Sequence, residues 1–232
     1  MRILMLTSCT NRKAVGHPRA LTVADFARGA DWVRVREDEL AAIARPAEEL
    51  YAGEQHRRLM RGVRQLRGCG VHVDVRILSA GYGLLAGERR VVPYEATFGG
   101  LRLAVLRQRA DVLKVPEAVR SLLGEPFDLG LLLLGGAYLR ACALDCGVSL
   151  GGPVLAMCGK AGVRWLPASP RLRCWVLTAQ DAGRFHCGQV GLKGEIARCL
   201  LSRLAAQPEF LRNIGDEGCD LAAWLAPTPD FQ

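Results

Sequence analysis

The sequence predicts an α/β protein: one sizeable domain with a mixed or mostly parallel central sheet covered by helices. Three observations carry this. Apolar runs of strand length alternate with longer stretches of helical period along most of the chain, the order that builds such a sheet. Half of the 232 residues are hydrophobic, enough for one large core. Several apolar runs end on small or polar residues, Ser8, Ser79, Gly135, Cys158 and Thr178. A parallel sheet gathers such strand ends at one edge, where α/β proteins usually place their ligands.

In chain order, residues 2–8 read as a buried first strand, followed by a polar loop over 8–18 with Asn11, Arg12 and Lys13 at its start. That loop is either a phosphate or base contact or a solvated connection. Residues 19–45 mix charge and apolar groups without a clean period; 38–44 reads as a short helix, which Pro46 breaks before another turn at 47–51. Residues 54–68 form a strong helix with Leu59, Val63 and Leu66 on its apolar side. Arg57, Arg61 and Arg64 recur at i, i+4 and i+7 as a basic stripe, flanked by Arg58 and Arg67. Such a stripe straddles phosphates or is simply a solvated face. Gly68 and Gly70 end the helix. Residues 71–78 alternate with period two and lead, as a strand, into a loop over 79–98. Helices follow over 101–113 and 117–123, with Pro116 opening the second. The run 127–134 is a strand buried on both faces, and Gly135-Gly136 turns it into a helix at 137–144. Further strands are expected at 153–157 and 172–178, then an amphipathic helix at 192–206. Residues 1–207 are read as the main domain and 208–232 as a short helix and tail.

Composition narrows the function. No apolar run approaches the roughly 18 residues a membrane helix needs. The first eight residues are too short for a signal peptide's apolar region, so a cytoplasmic protein and no membrane partner are expected. Nine cysteines are present. Cys69, Cys142, Cys158, Cys174 and Cys199 lie in apolar segments and read as core residues. Cys142 and Cys146 are four apart on an expected helix, but no second close pair accompanies them, so no zinc site is expected. The formal charge of +8 fits a polyanionic partner; an arginine-rich soluble protein without such a partner is the other reading.

The stretch 77–98 organises the chain. Ser79-Ala80-Gly81 and Gly83 make a strand end that something can approach closely, because glycine has no Cβ to block it. Tyr82, between two glycines, is expected to display its ring. Pro93-Tyr94-Glu95-Ala96-Thr97 then gathers a phenol, a carboxylate and a hydroxyl in one turn-like segment. Together with Ser8-Cys9-Thr10-Asn11-Arg12-Lys13 and Pro46-Ala47-Glu48-Glu49-Leu50-Tyr51-Ala52-Gly53, in that order, this stretch resembles a family of small bacterial and phage proteins. That family is related to the peroxide-stress protein YaaA and, more distantly, to a domain of archaeal tRNA-guanine transglycosylases. After residue 100 the resemblance fades to Leu134-Gly135-Gly136-Ala137-Tyr138. Many relatives carry Asp where this chain has Glu95. The resemblance implies a glycosylase-like architecture and DNA binding.

The expected site therefore holds Ser8, Asn11, Lys13, Glu49, Tyr51, Ser79, Tyr82, Tyr94, Glu95, Thr97, Gly135 and Tyr138. Carboxylates, amide donors, aromatic rings and a basic rim suit cleavage of an N-glycosidic bond in DNA, either a duplex with a flipped base or a single strand. Glu95 is the carboxylate that stabilises an oxocarbenium-like sugar or positions water. Asn11 and Ser79 contact the base or leaving group, and Tyr82 stacks on it. Arg12, Arg57, Arg61 and Arg64 hold backbone phosphates. The chemistry requires no metal or organic cofactor. Two other functions use the same groove: non-catalytic DNA binding of a stress-protection type, and hydrolysis or transfer on free nucleotides.

Overall fold

A computed structural model describes residues 1–214 and 219–225. The chain begins with strand β1 (Arg2–Ser8). A two-residue strand β2 (Leu21–Thr22) leads into helices α1 (Val23–Ala27) and α2 (Ala30–Glu39). The backbone N–H of Thr22 donates to Asp25 Oδ2 at 2.8 Å, which starts α1 by a capping box. α2 buries none of its residues. With no apolar face to bury, it shows no 3.6-residue period, and the expected helix at 38–44 is only a 3₁₀ turn, Ala41–Ile43.

Next come β3 (Arg45–Pro46), α3 (Ala47–Leu50) and α4 (Glu54–Gly68). Strand β4 (His72–Ser79) continues into β5 (Gly83–Ala86), then β6 (Arg90–Val91) and β7 (Tyr94–Glu95). The segment expected as one loop over 79–98 is thus a hairpin with two further strand pairs. Ser79 faces Gly83 across the hairpin, β7 runs parallel to β2, and β6 runs antiparallel to β3. Gly83 takes φ +74° with Leu113 O only 2.7 Å from where a Cβ would stand, so both conformation and space require glycine there. Helices α5 (Leu103–Val112) and α6 (Val115–Gly124), strand β8 (Leu129–Leu133), α7 (Gly136–Cys142), β9 (Val154–Cys158), β10 (Leu172–Val176), α8 (Ala179–Arg184) and α9 (Gln189–Ala206) follow.

The central sheet has the order β10-β9-β8-β1-β4-β5, all parallel except β5. β1 lies inside it, with Ile3 opposite both Val73 and Leu129. The chain moves from β1 to β4 through α4, then returns past β1 to β8. Strand order therefore reverses between β1 and β8, which opens a crevice at their carboxyl ends. Gln55 spans this junction, donating to Thr7 Oγ1 at 3.1 Å and to the Leu133 carbonyl at 2.9 Å.

α4 packs against α9, and α5, α6 and α7 pack together. Parallel crossovers that leave β1 in opposite directions along the sheet and share the usual right hand place such layers on opposite faces. α4 and α9 meet closely at glycines. A Cβ on Gly194 would stand 2.0 Å from the Gln55 carbonyl, and one on Gly62 would stand 2.9 Å from Arg198 Cα. The Glu195 carboxylate is buried in this contact, where Arg58 reaches it at 2.8 Å and Arg198 also pairs with it.

Three expectations change. Cys142 ends α7, and Ala143 has a left-handed backbone (φ +48°), so Cys146 falls in a separate 3₁₀ turn rather than on the same helix. Cys69 is exposed at the end of α4, not packed in the core. In the described part of 208–232 two short helices form, α10 (Leu211–Ile214) and α11 (Leu221–Leu225), and the Phe210 ring stacks on Trp224 at 4.0 Å; the expected tail at 226–232 lies outside the described residues. Among the described residues, no helix is long and apolar enough to cross a membrane. No group of three or more His, Cys, Asp or Glu side chains there is placed to hold a metal ion.

Candidate functional site at the strand-order reversal

The loop after β1 is tied to the segment around α3. The Ala14 N–H donates to Leu50 O at 2.8 Å and the Ala52 N–H to Arg12 O at 2.9 Å. Thr10 Oγ1 accepts from the Gly53 N–H at 3.1 Å and donates to Arg12 O at 2.7 Å. These bonds place Lys13 with its ammonium 4.5 Å from the centre of the Tyr94 ring. Lys13 is half-buried; burial lowers its pKa, partly offset by Cys9 and Glu95 nearby.

Beneath Lys13 runs a chain of hydroxyls. The Tyr94 hydroxyl lies 2.9 Å from that of Tyr51 and 2.7 Å from Ser79 Oγ. Ser79 Oγ also accepts from the N–H groups of Gly81 at 3.1 Å and Tyr82 at 2.9 Å. Tyr51, Ser79 and Tyr94 are all buried. Burial pushes both phenols well above their ordinary pKa, so they act as neutral hydrogen-bonding groups. Ser79 therefore has no free face for a base. It fixes Tyr94 and the turn after β4.

Beside this chain, Cys9 Sγ meets the Tyr138 hydroxyl at 3.1 Å, where β1 and β8 end. The Phe98 ring packs edge-on against Tyr138, centroids 5.4 Å apart. The Arg109 guanidinium from α5 stands 5.9 Å from the Phe98 ring. Burial lowers the Arg109 pKa, and its Nη2 is buried with no hydrogen-bond partner among the described residues.

The structure thus brings together Lys13, Tyr51, Ser79, Tyr94 and Tyr138. Glu95 is exposed at the rim, opposite Thr22 in the β2–β7 pair. Thr97 is also exposed. Its Oγ1 accepts from the Gly99 N–H at 2.9 Å, and it stands beside Tyr138. Asn11 and Arg12 are exposed on the loop, and Ser8 is half-buried at the end of β1. Gly135 is the residue before α7, where its carbonyl accepts from the Leu139 N–H at 2.9 Å. Tyr82 does not display its ring. Phe26 packs edge-on against it at 4.9 Å and Tyr94 at 5.3 Å. Phe26 reaches it because Gly81 has no side chain: a Cβ there would stand 2.5 Å from the Phe26 ring.

Glu49 falls elsewhere, in a groove of about 620 Å³ along α4 lined by Ala14, Glu49, Tyr51, Arg57, Arg61 and Arg64. One member of the basic stripe and both flanks are neutralised: Arg57 and flanking Arg58 each meet Glu54 at 2.6 Å, and flanking Arg67 meets Glu48 at 3.1 Å. Arg61 and Arg64 are exposed and have no ion pair among the described residues. The groove touches the site through Tyr51, whose hydroxyl belongs to the buried chain.

Sequence reasoning missed Cys9, Phe26, Phe98 and Arg109. Cys9 lies inside a motif already singled out, so its place at the end of β1 marked it. Arg109 is one of several arginines in residues 102–109 and nothing local distinguishes it. No protein-family model matches the chain, and a search of curated proteins finds no match.

Proposed function

We propose that this protein binds DNA and cleaves the N-glycosidic bond of a modified base, leaving an abasic site, in the manner expected of a YaaA-related family and in the setting of defence against phage. The observation that carries the reading is the contact between two features. A groove with two unneutralised arginines, Arg61 and Arg64, shares Tyr51 with a dry polar cluster that has Glu95 at its rim. The arginines suit a phosphate backbone. A flipped nucleotide then reaches Lys13, Asn11 and Glu95. Glu95 stabilises the cationic sugar and orients water, while Asn11 and Lys13 offer donors to the departing base. Ser79 and Tyr94 hold the loops that carry these groups.

The test is incubation with modified phage DNA, followed by detection of abasic sites. Glu95→Gln keeps the size and hydrogen-bonding capacity but removes the charge. It should still bind DNA and lose about a hundredfold or more in excision rate. Full activity in Glu95→Gln would assign the chemistry to another group. One observation favours a second reading, DNA binding without chemistry: the Ser79, Tyr94 and Tyr51 hydroxyls satisfy one another out of reach of solvent. DNA retention with no abasic site on any modified DNA would select it. Turnover of free nucleotides would select hydrolase or transferase action on those instead.

A further inference from the structure

Burying a cation is costly unless a counter-charge goes with it. This chain mostly observes that rule. Arg2 meets Asp74 at 2.9 Å, Arg58 meets Glu195 at 2.8 Å, and Arg76 meets Asp74 at 2.7 Å. Lys193 and Arg120 have no carboxylate partner but donate to the Leu134 and Ala143 carbonyls at 2.7 and 3.1 Å; Lys13 and Arg109 have neither kind of partner. The Lys13 and Arg109 side chains are each half-buried, and neither side chain has a hydrogen bond or ion pair among the described residues. They also flank the same place. Lys13 lies over the Tyr94 ring at 4.5 Å and Arg109 lies 5.9 Å from the Phe98 ring. Cys9, which pairs with Tyr138, acts electrostatically on both cations. The groups acting on Arg109 are phenols and a thiol, and the one carboxylate acting on Lys13 is the exposed Glu95.

Two desolvated cations among neutral hydroxyls, a thiol and one exposed carboxylate leave net positive charge at the crevice between β1 and β8. Its walls are aromatic, and Tyr138 and Thr97 supply neutral hydroxyls beside it. An ammonium supplies a point charge and a guanidinium a planar fork of donors. Together they match a group with several charged oxygens arranged in three dimensions. The adjoining arginine groove brings phosphates towards this place, which favours a phosphate over a carboxylate.

We propose that Lys13 and Arg109 form a phosphate subsite that holds the phosphate of the nucleotide whose base is removed. The nucleotide rests on the function proposed above; the subsite itself does not, since it can be tested with the anion alone. In the absence of a ligand Arg109 is a liability, and its removal should relieve the fold.

The test uses the full chain with inorganic phosphate, a nucleoside, and the same nucleoside as its 5′-monophosphate. Phosphate should raise the melting temperature more than chloride at equal ionic strength. The monophosphate should bind roughly tenfold or more tighter than the nucleoside, the scale of one charge-assisted hydrogen bond. Arg109→Met and Lys13→Met should each abolish the phosphate shift. Arg109→Met without ligand should melt at the same temperature as the parent or a few degrees higher, because a buried unpaired donor is gone. Arg109→Lys keeps a charge without the fork and should retain part of the phosphate shift, which guards against a Met variant that fails to fold. A phosphate shift without abasic-site formation would leave the subsite standing and remove the glycosylase reading. A parent protein that phosphate stabilises no more than chloride would overturn the subsite, as would a Met variant that responds like the parent.

Discussion

Ser79→Ala is the sharpest probe of the cluster, because the side chain is small and its partners are all accounted for. Ser79 is fully buried. Its hydroxyl accepts from two backbone N–H groups, at 3.1 and 2.9 Å, and exchanges a hydrogen bond with the Tyr94 hydroxyl at 2.7 Å. Alanine removes almost no apolar contact but leaves those two N–H groups unpaired in a site without solvent. A buried unpaired donor costs about 1–3 kcal/mol. Some relaxation of the turn recovers part of this, so the expected loss is about 2–4 kcal/mol. For a chain of this size that lowers the melting temperature by about 4–16 °C. Urea unfolding followed by circular dichroism gives the free energy, and calorimetry gives the temperature. Tyr94→Phe breaks the same bond from the other side and also leaves the buried Tyr51 hydroxyl unpaired, while Ser79 keeps its two N–H donors, so it should cost about 1–3 kcal/mol. The double variant should fall short of the sum by at least about 0.5 kcal/mol. A Ser79→Ala loss below about 0.5 kcal/mol, or strict additivity with Tyr94→Phe, would refute the hydrogen-bond argument.

Other consequences follow from the same geometry. Gly194→Ala drives a methyl into the Gln55 carbonyl, 2.0 Å away, and should cost about 1–3 kcal/mol in urea unfolding as α4 and α9 separate; a neutral result would mean the helices slide freely. Glu195 is pulled two ways: burial raises its pKa, but hydrogen bonds from Arg198 and Arg58 outweigh this and hold it below the ordinary 4.5. A depressed carboxylate contributes stability above its unfolded pKa and loses it as pH falls through the folded one. Stability should therefore decline below about pH 4.5, and Glu195→Gln should flatten that decline while lowering stability at neutral pH. Arg61→Ala with Arg64→Ala should weaken DNA binding and reduce the log–log salt slope by up to about two, near 0.9 per lost phosphate contact; an unchanged slope would make the stripe a solvated face.

How much of this was legible depends on where each segment sits. β1, β8 and β9 announce themselves because they are buried and read as apolar runs, β4 because its buried residues alternate with polar ones, and α4 because one face is buried while the other meets solvent. α2 shows no period because none of its residues is buried. β5 is hidden because its four residues follow a glycine turn and look like a continuation of the loop. At the site, local motifs located Lys13, Tyr51, Ser79, Tyr94 and Tyr138, since each lies at or near the end of a recognisable element. They misjudged Tyr82, whose neighbour Phe26 is 56 positions away in a segment without pattern. They missed Arg109 because its role depends on having no partner, and sequence does not record a missing contact.

The site combines two opposite treatments of buried polar groups. The Tyr51, Tyr94 and Ser79 hydroxyls satisfy one another and the turn after β4. Such a closed network rigidifies the ends of β1 and β4 without asking anything of a ligand. Four buried side-chain atoms have no hydrogen-bond partner among the described residues: the Tyr82 hydroxyl, Arg109 Nη2, His56 Nδ1 and Arg120 Nε. Folding alone gives no reason to keep them so, because a leucine or methionine would pack as well at lower cost. Two of the four, Tyr82 and Arg109, neighbour Tyr94, whose ring supports Lys13. Two of the four unpaired atoms thus lie about one ring where the strand order reverses, while His56 on α4 and Arg120 on α6 lie apart from it. Whatever binds there gains interactions that the protein has already desolvated, so selectivity at this point should be steep towards ligands with charged oxygens and weak towards those that offer only apolar surface.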